Sequence, residues 1–432
     1  MRTALAFLVV SALGLVGCDT SSSGAGGGAT GSGSGVTNGA GTTSSMSSAT
    51  MSTSASGMTS TGSGTGGGSF AGTTRVDVGM GSAVPGSAEA AVAPDGTIYV
   101  TWVLDTGGKG DVYLARSTDG GMTFESAIQL DNTSIEPLVS MARHPYVFAT
   151  DTRVGVTFND QAGNVYLYAS AVGGALAFGS PTLVGTDIVT SFRDFPKGFF
   201  LPDGSIAVAY QGYPNSGARI FVARESAGYA SVAASSGAPG VPCECCPLDA
   251  LVTASGDVIV AFRNNDDDTR EMWNARAPAA GAFSAWGAVS NSEGFLNVCP
   301  MQGPRLAELG GGKLLAVWSA RGNGNSSNGT VYSSVSTNGG TTWSASTALS
   351  GFVADEPSIA VGADGHIFVM GVTGNQKSSI IESSDGGSNW GAAAPIEVPD
   401  GAIAVPQPDS RNGVVVIAGV SAAKTVWLAR VE

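Results

Sequence analysis

The stretch Ala115–Phe124, ARSTDGGMTF, decides the fold, because two variants of it return later in the chain. Ser336–Trp343 reads STNGGTTW, and Ser383–Trp390 reads SSDGGSNW. Each has a serine, then Asp or Asn, then paired glycines and an aromatic residue. The Asp or Asn side chain caps a tight turn, and glycine accepts the positive φ angles that such a turn requires. The pattern predicts a strand, a turn and a new strand, repeated along the chain.

A longer repeat surrounds these turns: a short apolar strand, a glycine turn, an alternating strand, a variable loop, a third strand and a weak fourth. The spacing of about fifty residues is typical of four-stranded propeller blades. The last repeat runs out of chain before a fourth strand, which Thr73–Gly79 is expected to supply, closing the ring. The second strands are predicted to start near Thr97, Arg153, Ser205, Asp257, Lys313, His366 and Gly413.

These repeats predict an all-β fold, a β-propeller of seven four-stranded antiparallel blades. Six blades is the alternative, because the second repeat is irregular. Over roughly residues 75–432 the motif resembles the BNR or Asp-box repeats of sialidase-like propellers. The turns consume the glycines and aromatic residues of the boxes, so a structural role is expected for them. The box residues are Ser117, Asp119, Gly121, Phe124, Ser336, Asn338, Gly340, Trp343, Ser383, Asp385, Gly387 and Trp390.

The composition limits the partners. The chain has 432 residues, of which 12% are charged, with a net charge of −14. Such a surface repels nucleic acid and anionic lipid headgroups, because phosphate binding needs clusters of Lys and Arg. We therefore expect no nucleic-acid partner, and we expect a monomer that contacts a membrane only through an anchor.

The N-terminus predicts export. An apolar run from Ala4 to Leu15 follows Arg2 and ends in Leu15-Val16-Gly17-Cys18, which has the length of a secretory signal. It resembles a bacterial lipoprotein signal, and this implies lipidation of Cys18; an ordinary signal peptide is the alternative. Residues 1–17 are then the signal peptide, 18–72 a lipidated cysteine and a disordered Gly/Ser/Thr-rich tether, and 73–432 the propeller. The expected location is the bacterial cell envelope, in either membrane.

The four remaining cysteines lie at the starts of two adjacent predicted blades. An even number of cysteines in an exported protein predicts disulfides, with the pairing left open. A thiolate site for Zn²⁺ or Cu⁺ is the alternative. The grouping CxCCP followed by CPxxGP resembles a subgroup of bacterial BNR-repeat proteins of undefined activity. The four residues are Cys243, Cys245, Cys246 and Cys299.

Blade connectivity separates two faces of the propeller. The Asp boxes lie on one, which we call the box face. The loops between second and third strands and the starts of the blades lie on the other, the mouth face, where ligand sites of propellers are expected. The predicted ligand-binding residues on the mouth face are Arg193, Asp194, Asp266, Arg270, Arg321 and Glu356. The loop Asp266–Asp268 is either a solvated hairpin tip or a Ca²⁺ site.

The family resemblance implies three arginines that grip a substrate carboxylate, an Asp acid/base, and a Tyr nucleophile activated by a Glu. The last tyrosine is Tyr332, in a predicted third strand, so the transferred mechanism lacks its nucleophile. We therefore predict an extracellular module that binds a glycan or a protein, without cofactor or clear hydrolase machinery. An exo-sialidase or related glycoside hydrolase with a rearranged site is the alternative. Its candidate residues are Arg193, Asp194, Arg263, Arg305 and Arg321.

Overall fold

The structure is a computed structural model. It describes residues 74–431 except 80–82, 85, 106–109, 132–133, 139–142, 191, 216, 236, 291–301, 321–328, 363, 373–377, 397–403, 412–413 and 422. The expected signal peptide, Cys18 and most of the tether lie outside the described residues, as do Cys299 and Arg321. The described part contains one turn of 3-10 helix, Glu225–Ala227. None of its helices is long and apolar enough to cross a membrane.

The described strands form seven antiparallel sheets of four or five strands. The first strand, β1 (Thr74–Gly79), belongs to the last blade. Blade 1 comprises β2 (Glu89–Val92), β3 (Ile98–Asp105), β4 (Gly110–Ser117) and β5 (Ile128–Gln129). Blade 2 comprises β6 (Tyr146–Ala149), β7 (Arg153–Asn159), β8 (Val165–Ala171) and β9 (Thr182–Val184). Blade 3 comprises β10 (Arg193–Phe200), β11 (Ile206–Gly212), β12 (Arg219–Arg224) and β13 (Ser231–Ala233).

Blade 4 has five strands, because its inner edge is divided into two. It comprises β14 (Val241–Pro242), β15 (Asp249–Val252), β16 (Asp257–Asn265), β17 (Met272–Pro278) and β18 (Ala285–Ala288). Blade 5 comprises β19 (Arg305–Gly310), β20 (Lys313–Ala320), β21 (Thr330–Ser336) and β22 (Thr347–Val353). Blade 6 comprises β23 (Asp355–Val361), β24 (Ile367–Val372), β25 (Ser378–Ser383) and β26 (Ala394–Pro395). Blade 7 comprises β27 (Ala404–Arg411), β28 (Val414–Val420) and β29 (Val426–Val431), with β1.

The N-terminal strand closes the ring. β1 pairs antiparallel with β29, from Thr74 opposite Arg430 to Gly79 opposite Val426. The last blade therefore gains its outer strand from the start of the domain, and no split blade is left with a free edge. The predictions of a seven-bladed propeller and of closure by the N-terminal strand are confirmed.

The core lies between neighbouring blades rather than in one centre. Val416 and Ala418 of blade 7 belong to the same buried cluster as Val92 and Val100 of blade 1. The alternating strands bury one row of side chains against each neighbouring blade, as period-2 patterning requires. Trp318 is fully buried in such a cluster, which supports a packing role for this residue.

The Asp boxes are turn elements. The Gly121 amide donates to Ser117 Oγ (2.8 Å), and the amides of Met122 and Thr123 donate to Asp119 Oδ1 (3.0 and 2.9 Å). Hydrogen bonds from the Thr123 side chain and amide lower the pKa of the Asp119 carboxyl to about 2. Gly121 has φ +86°, and a Cβ there would lie 2.9 Å from the Leu428 side chain of blade 7. These contacts give the box a structural role.

The aromatic residue of each box packs where its blade meets the preceding one. Phe124 packs in the cluster of blades 7 and 1, and Trp390 in that of blades 5 and 6. Trp343 packs in the cluster of blades 4 and 5, and its Nε1 donates to Asn274 Oδ1 (2.9 Å). The boxes thus join neighbouring blades on the box face, and their side chains are already engaged in structural contacts.

Candidate functional site

The inner strands surround a cavity of ≈ 800 Å³. Its lining comes from β2, β6, β10, β15, β19 and β23, the inner strands of blades 1 to 6. This volume lies within the range of small-molecule sites in proteins. The cavity is the central channel of the propeller, and its lining runs from the starts of the inner strands to the turns that follow them, such as Pro94 and Thr253. We call the end where the inner strands begin the mouth.

Strand register places one residue from each blade at the same height near this mouth. The positions are Glu89 opposite Thr101, Tyr146 opposite Thr157, Lys197 opposite Ala209, Asp249 opposite Ala261, Arg305 opposite Val317, and Ser358 opposite Met370. All six line the cavity. We call Glu89, Tyr146, Lys197, Asp249, Arg305 and Ser358 the mouth ring. The equivalent position of blade 7 is Gln407, opposite Ala418.

A local irregularity precedes the ring position in several blades. The register shifts between Asp194 and Lys197 in blade 3 and between Asp355 and Ser358 in blade 6. Two residues then face one on the partner strand, which is a β-bulge. The first bulged residue has a left-handed backbone in both blades, with φ +51° at Phe195 and φ +47° at Glu356. Such backbone is costly for residues other than glycine and tends to occur at functional sites.

Lys197 is the most heavily used member of the mouth ring. Its ammonium contacts the Asp249 carboxylate of blade 4 and lies 4.2 Å from the centre of the Tyr146 ring of blade 2. Burial by itself lowers the pKa of Lys197, but Asp249, with smaller contributions from Tyr146 and Glu89, raises it above its ordinary value of 10.5. Lys197 is therefore a cation already neutralised by the protein.

A contact between a histidine and a glutamate borders the ring. The His144 Nε2 atom lies 2.8 Å from Glu89 Oε2, and both side chains are about nine-tenths buried. His144 precedes Tyr146 by two residues, and Glu89 and Tyr146 both line the cavity, so the imidazole contacts one carboxylate of the ring at the start of the blade that supplies the phenol. Groups of these types can exchange protons with a bound molecule.

Arg305 differs from the other charged members. It is half-buried and lines the cavity, and Lys197 is close enough for its charge to act on it. Within the described residues, its guanidinium makes no hydrogen bond or ion pair. A guanidinium offers five N–H donors in a planar fork that fits a carboxylate. Arg305 is thus a cation at the mouth with donors available to a ligand.

Two other candidate arginines are bound to backbone carbonyls. Arg193 donates to the carbonyls of Gly185 (2.8 Å) and Ile188 (2.9 Å) in its own loop. Arg263 is 2% exposed and donates to three carbonyls, of Gln302 (2.9 Å), Arg270 (3.0 Å) and Ser319 (2.7 Å). These contacts favour an anchoring role for both side chains. Neither arginine lines the cavity.

Asp194 is 1% exposed and binds a different arginine. Arg143 Nε donates to both carboxylate oxygens (2.9 and 2.8 Å), and its Nη2 lies 2.7 Å from Oδ2. Burial raises the pKa of Asp194, and Arg143 opposes this. The Arg143 guanidinium also lies 5.0 Å from the centre of the Phe195 ring. Asp194 therefore holds the start of blade 3 in place, beside the ring rather than in it.

The acidic loop Asp266–Asp268 is the tip of a hairpin. Asp266 pairs with Thr269, and both residues between them have left-handed backbone, with φ +50° at Asp267 and +62° at Asp268. This is the backbone of a two-residue primed turn. Arg270 Nη2 lies 3.2 Å from Asp268 Oδ1, while Arg270 Nη1 lies 3.1 Å from Cys243 Sγ. No group of three or more His, Cys, Asp or Glu among the described residues could hold a metal ion.

The three cysteines that the structure describes lie at the start of blade 4. Cys243 and Cys246 form a disulfide pair with Cα atoms 5.5 Å apart, an ordinary separation for a disulfide. Cys245 is likewise disulfide-bonded. This favours the disulfide interpretation over a thiolate metal site. We call Cys243–Cys246 the cysteine turn.

The structure therefore separates the residues that the sequence grouped together. Of the candidates Arg193, Asp194, Arg263, Asp266, Arg270, Arg305 and Glu356, only Arg305 lines the cavity. Sequence reasoning missed the rest of the mouth ring. One signal could have found much of it, because Tyr146, Lys197, Arg305 and Ser358 each follow a proline at the start of a blade. Asp249 and Glu89 carry no such mark.

Comparison with known proteins supports the fold. No family model matches the chain, and no curated protein does. The polysaccharide lyase Uly1 has a TM-score of 0.50 and 11% identity, over 80% of this chain and 89% of the other. A GH93 α-L-arabinofuranosidase of Fusarium graminearum has 0.49 and 13%, over 83% and 97%. The Hadza microbial sialidase Hz136 has 0.45 and 12%, over 80% and 65%. At these identities the likeness concerns the fold alone.

Proposed function

We propose that this protein binds a carbohydrate bearing a carboxylate at the mouth ring, with Arg305 as the residue that anchors the acid group. The availability of Arg305 carries the proposal. Lys197 is neutralised by Asp249, and Arg193 and Arg263 donate to carbonyls. Arg305 is left as the cation of the ring with donors to offer.

The surroundings of Arg305 suit a sugar. The ring supplies carboxylate, phenol and hydroxyl groups from several blades around a cavity of ≈ 800 Å³. A few convergent polar groups at a concave site are the usual means of orienting a small ligand. Uly1, which matches with a TM-score of 0.50, is a polysaccharide lyase, which is consistent with a carbohydrate ligand for this propeller.

Binding can be measured by isothermal titration calorimetry of the soluble domain with 3′-sialyllactose, oligogalacturonate and lactose. We expect binding of at least one acidic sugar, none of lactose, and a loss of about tenfold or more in Arg305→Ala, because a charge-assisted hydrogen bond contributes about 1.5–3 kcal/mol. Arg116→Ala is the matched control. It removes an arginine near the Asp box of blade 1, whose guanidinium pairs with Glu125 (2.7 Å). Equal losses in the two variants, or binding of lactose alone, would contradict the proposal.

Cleavage of the bound sugar is the second candidate. It is favoured by the His144–Glu89 pair, 2.8 Å apart beside Tyr146, because these side chains include those that act as general acids and bases. Incubation with a fluorogenic sialoside and with polygalacturonate, followed for fluorescence, for reducing ends and for unsaturated products, tests it. Turnover that is lost in both His144→Asn and Arg305→Ala would establish an enzyme. Binding without turnover would leave the binding function alone.

We further propose that the domain is exported and attached to the cell envelope through a lipid on Cys18. A disulfide pair is characteristic of oxidising compartments, and the Cys243–Cys246 pair is consistent with export. Expression in a bacterial host with labelled palmitate tests the anchor. We expect label and membrane fractionation in the wild type and neither in Cys18→Ser. An unlabelled wild-type protein in the soluble fraction would refute the anchor.

A further inference from the structure

The inner edge of blade 4 is built differently from its neighbours. β14 and β15 both pair with β16, with Pro242 opposite Asn264 and Asp249 opposite Ala261. The six residues 243–248 therefore face two residues of β16, whereas the bulge of blade 3 sets two residues against one. The insertion that precedes Asp249 in the chain is therefore longer than the one that precedes Lys197. Such an insertion has more conformational freedom, so other contacts must fix where Asp249 lies.

The cysteine turn supplies these contacts. Within it, the Cys246 amide donates to the Cys243 carbonyl (3.3 Å), and the disulfide joins the same two residues. The turn is held from two sides: the Cys243 amide donates to the Arg263 carbonyl (2.9 Å), and Gln211 Nε2 of blade 3 donates to the Cys243 carbonyl (2.9 Å). Both cysteines are at most 2% exposed.

The turn leads directly into the mouth ring. Pro247 follows it, and a Cβ on Gly303 would lie 1.7 Å from the Pro247 carbonyl oxygen, so the starts of blades 4 and 5 are in close contact. Asp249 comes two residues later. One of its carboxylate oxygens contacts Lys197, and the other accepts from the Leu306 amide (2.7 Å), next to Arg305. Asp249 thus joins the Lys197 ammonium of blade 3 to the Leu306 backbone of blade 5.

We propose that the Cys243–Cys246 disulfide is a positioning element of the mouth ring, which holds Asp249 between Lys197 and Leu306. Without it, the insertion above Asp249 relaxes and the carboxylate leaves the Lys197 ammonium. Lys197 then becomes a second unneutralised cation beside Arg305. The effect on the ligand rests on the proposed function, whereas the placement of Asp249 does not.

The first test needs no ligand. NMR of lysine-labelled protein follows Lys197 in the wild type and in Cys243→Ser/Cys246→Ser. Loss of Asp249 leaves burial and Arg305, which lower the pKa of Lys197, against Tyr146 and Glu89, which raise it by less than Asp249 does; burial is the largest of these influences. We expect Lys197 of the variant to titrate below 10.5, while that of the wild type stays charged to higher pH. A Lys197 that titrates alike in both proteins would overturn the proposal.

Two controls separate positioning from loss of fold. Asp119→Ala destabilises the box face of the propeller, far from the ring along the strands of blade 1, and should leave the titration of Lys197 unchanged. If the serine variant does not fold, the folded wild type is reduced with a dithiol and Lys197 is measured again. Each protein disulfide that opens yields two protein thiols and oxidises one dithiol to its disulfide, and the disulfide of Cys245 is opened as well. An unchanged Lys197 in the reduced protein would equally overturn the proposal.

The second test uses the acidic sugar that the wild type binds. We expect its dissociation constant to change by about tenfold in the serine variant and by less than twofold in Asp119→Ala. Wild-type protein that binds no sugar would defeat the proposed function, while the titration of Lys197 would still decide the role of the disulfide. Unchanged affinity together with an unchanged Lys197 would defeat the positioning role alone.

Discussion

Replacing Asp249 with asparagine removes the charge beside Lys197 and keeps the size of the side chain. In the wild type the Asp249 side chain is 5% exposed and that of Lys197 is 15% exposed. The Asp249 carboxylate also accepts from the amides of Leu306 (2.7 Å) and Ala250 (2.9 Å). An asparagine oxygen can keep one of these acceptor roles, so the change acts mainly on the ammonium of Lys197.

The magnitude follows from the burial of the pair. Breaking a buried ion pair by removing one partner costs about 3–5 kcal/mol. Lys197 keeps the Tyr146 ring at 4.2 Å, and a cation over an aromatic face recovers about 0.5–2 kcal/mol. Deprotonating a lysine at pH 7 costs about 5 kcal/mol from its ordinary pKa, which sets an upper limit. We expect Asp249→Asn to lose about 2–4 kcal/mol of unfolding free energy at pH 7.

The loss has a defined pH dependence. In the wild type the raised pKa of Lys197 adds stability that is present below pH 10.5 and disappears as the pH rises through the folded-state pKa. In the variant the pKa of Lys197 is expected to fall below 10.5, so the cost of its charge fades as the lysine deprotonates. The stability difference between the two proteins should therefore narrow between pH 7 and pH 10.

Urea unfolding followed by the fluorescence of the seven tryptophans measures this at both pH values. The set comprises the wild type, Asp249→Asn, Lys197→Met and the double variant, whose coupling should equal about 2–4 kcal/mol. Asp257→Asn is the matched control, because Asp257 pairs with Arg276 (2.6 Å) in the same blade with both side chains more exposed. It should cost at most about 1 kcal/mol. A loss in Asp249→Asn no larger than in this control, or one independent of pH, would refute the reasoning.

Three further changes test other parts of the molecule. Burial, opposed chiefly by the Val112 amide, raises the pKa of the 6%-exposed Asp131 to about 6. The unfolding free energy of the wild type should therefore fall by about 1–3 kcal/mol from pH 4 to pH 7, relative to that of Asp131→Asn, in urea unfolding. Equal pH profiles of the two proteins would contradict this. Asp119→Ala should lower the melting temperature, because turn hydrogen bonds that contribute about 1–2 kcal/mol are lost. Asp119→Asn should change it little, because Asn338 accepts the equivalent hydrogen bond from the Thr342 amide (2.9 Å) in its own box. Equal losses in the two variants would contradict the turn-capping role of Asp119. Gly303→Ala should lower the unfolding free energy by about 1–3 kcal/mol, because the added methyl group forces blades 4 and 5 apart. Gly173→Ala is the control, because a Cβ on Gly173 meets nothing within 4 Å. A similar loss in both variants would contradict the close contact.

The number of blades, the closing strand and the Asp boxes were predictable because each depends on local chemistry. Alternating side chains specify a strand within a few residues, and the Ser, Asp and glycines of Ala115–Phe124 specify the turn that follows it. Repetition of that unit at a constant spacing sets the blade count. The closing strand was expected at Thr73–Gly79, and Thr74–Gly79 pairs with the last strand of blade 7. None of these inferences required knowing which side chains meet.

The mouth ring depended on contacts that local chemistry does not specify. Lys197, Asp249 and Arg305 stand about fifty residues apart, and they become neighbours because each occupies the same register position near the start of its inner strand. The sequence identifies four arginines as candidates for binding a carboxylate, but it does not show which of them has donors available to a ligand. Arg193 donates to carbonyls of its own loop and Arg263 to carbonyls distant in sequence, whereas Arg305 has no such partner among the described residues. The availability of a charged side chain is a tertiary property, since it depends on which partners the fold brings within hydrogen-bonding distance.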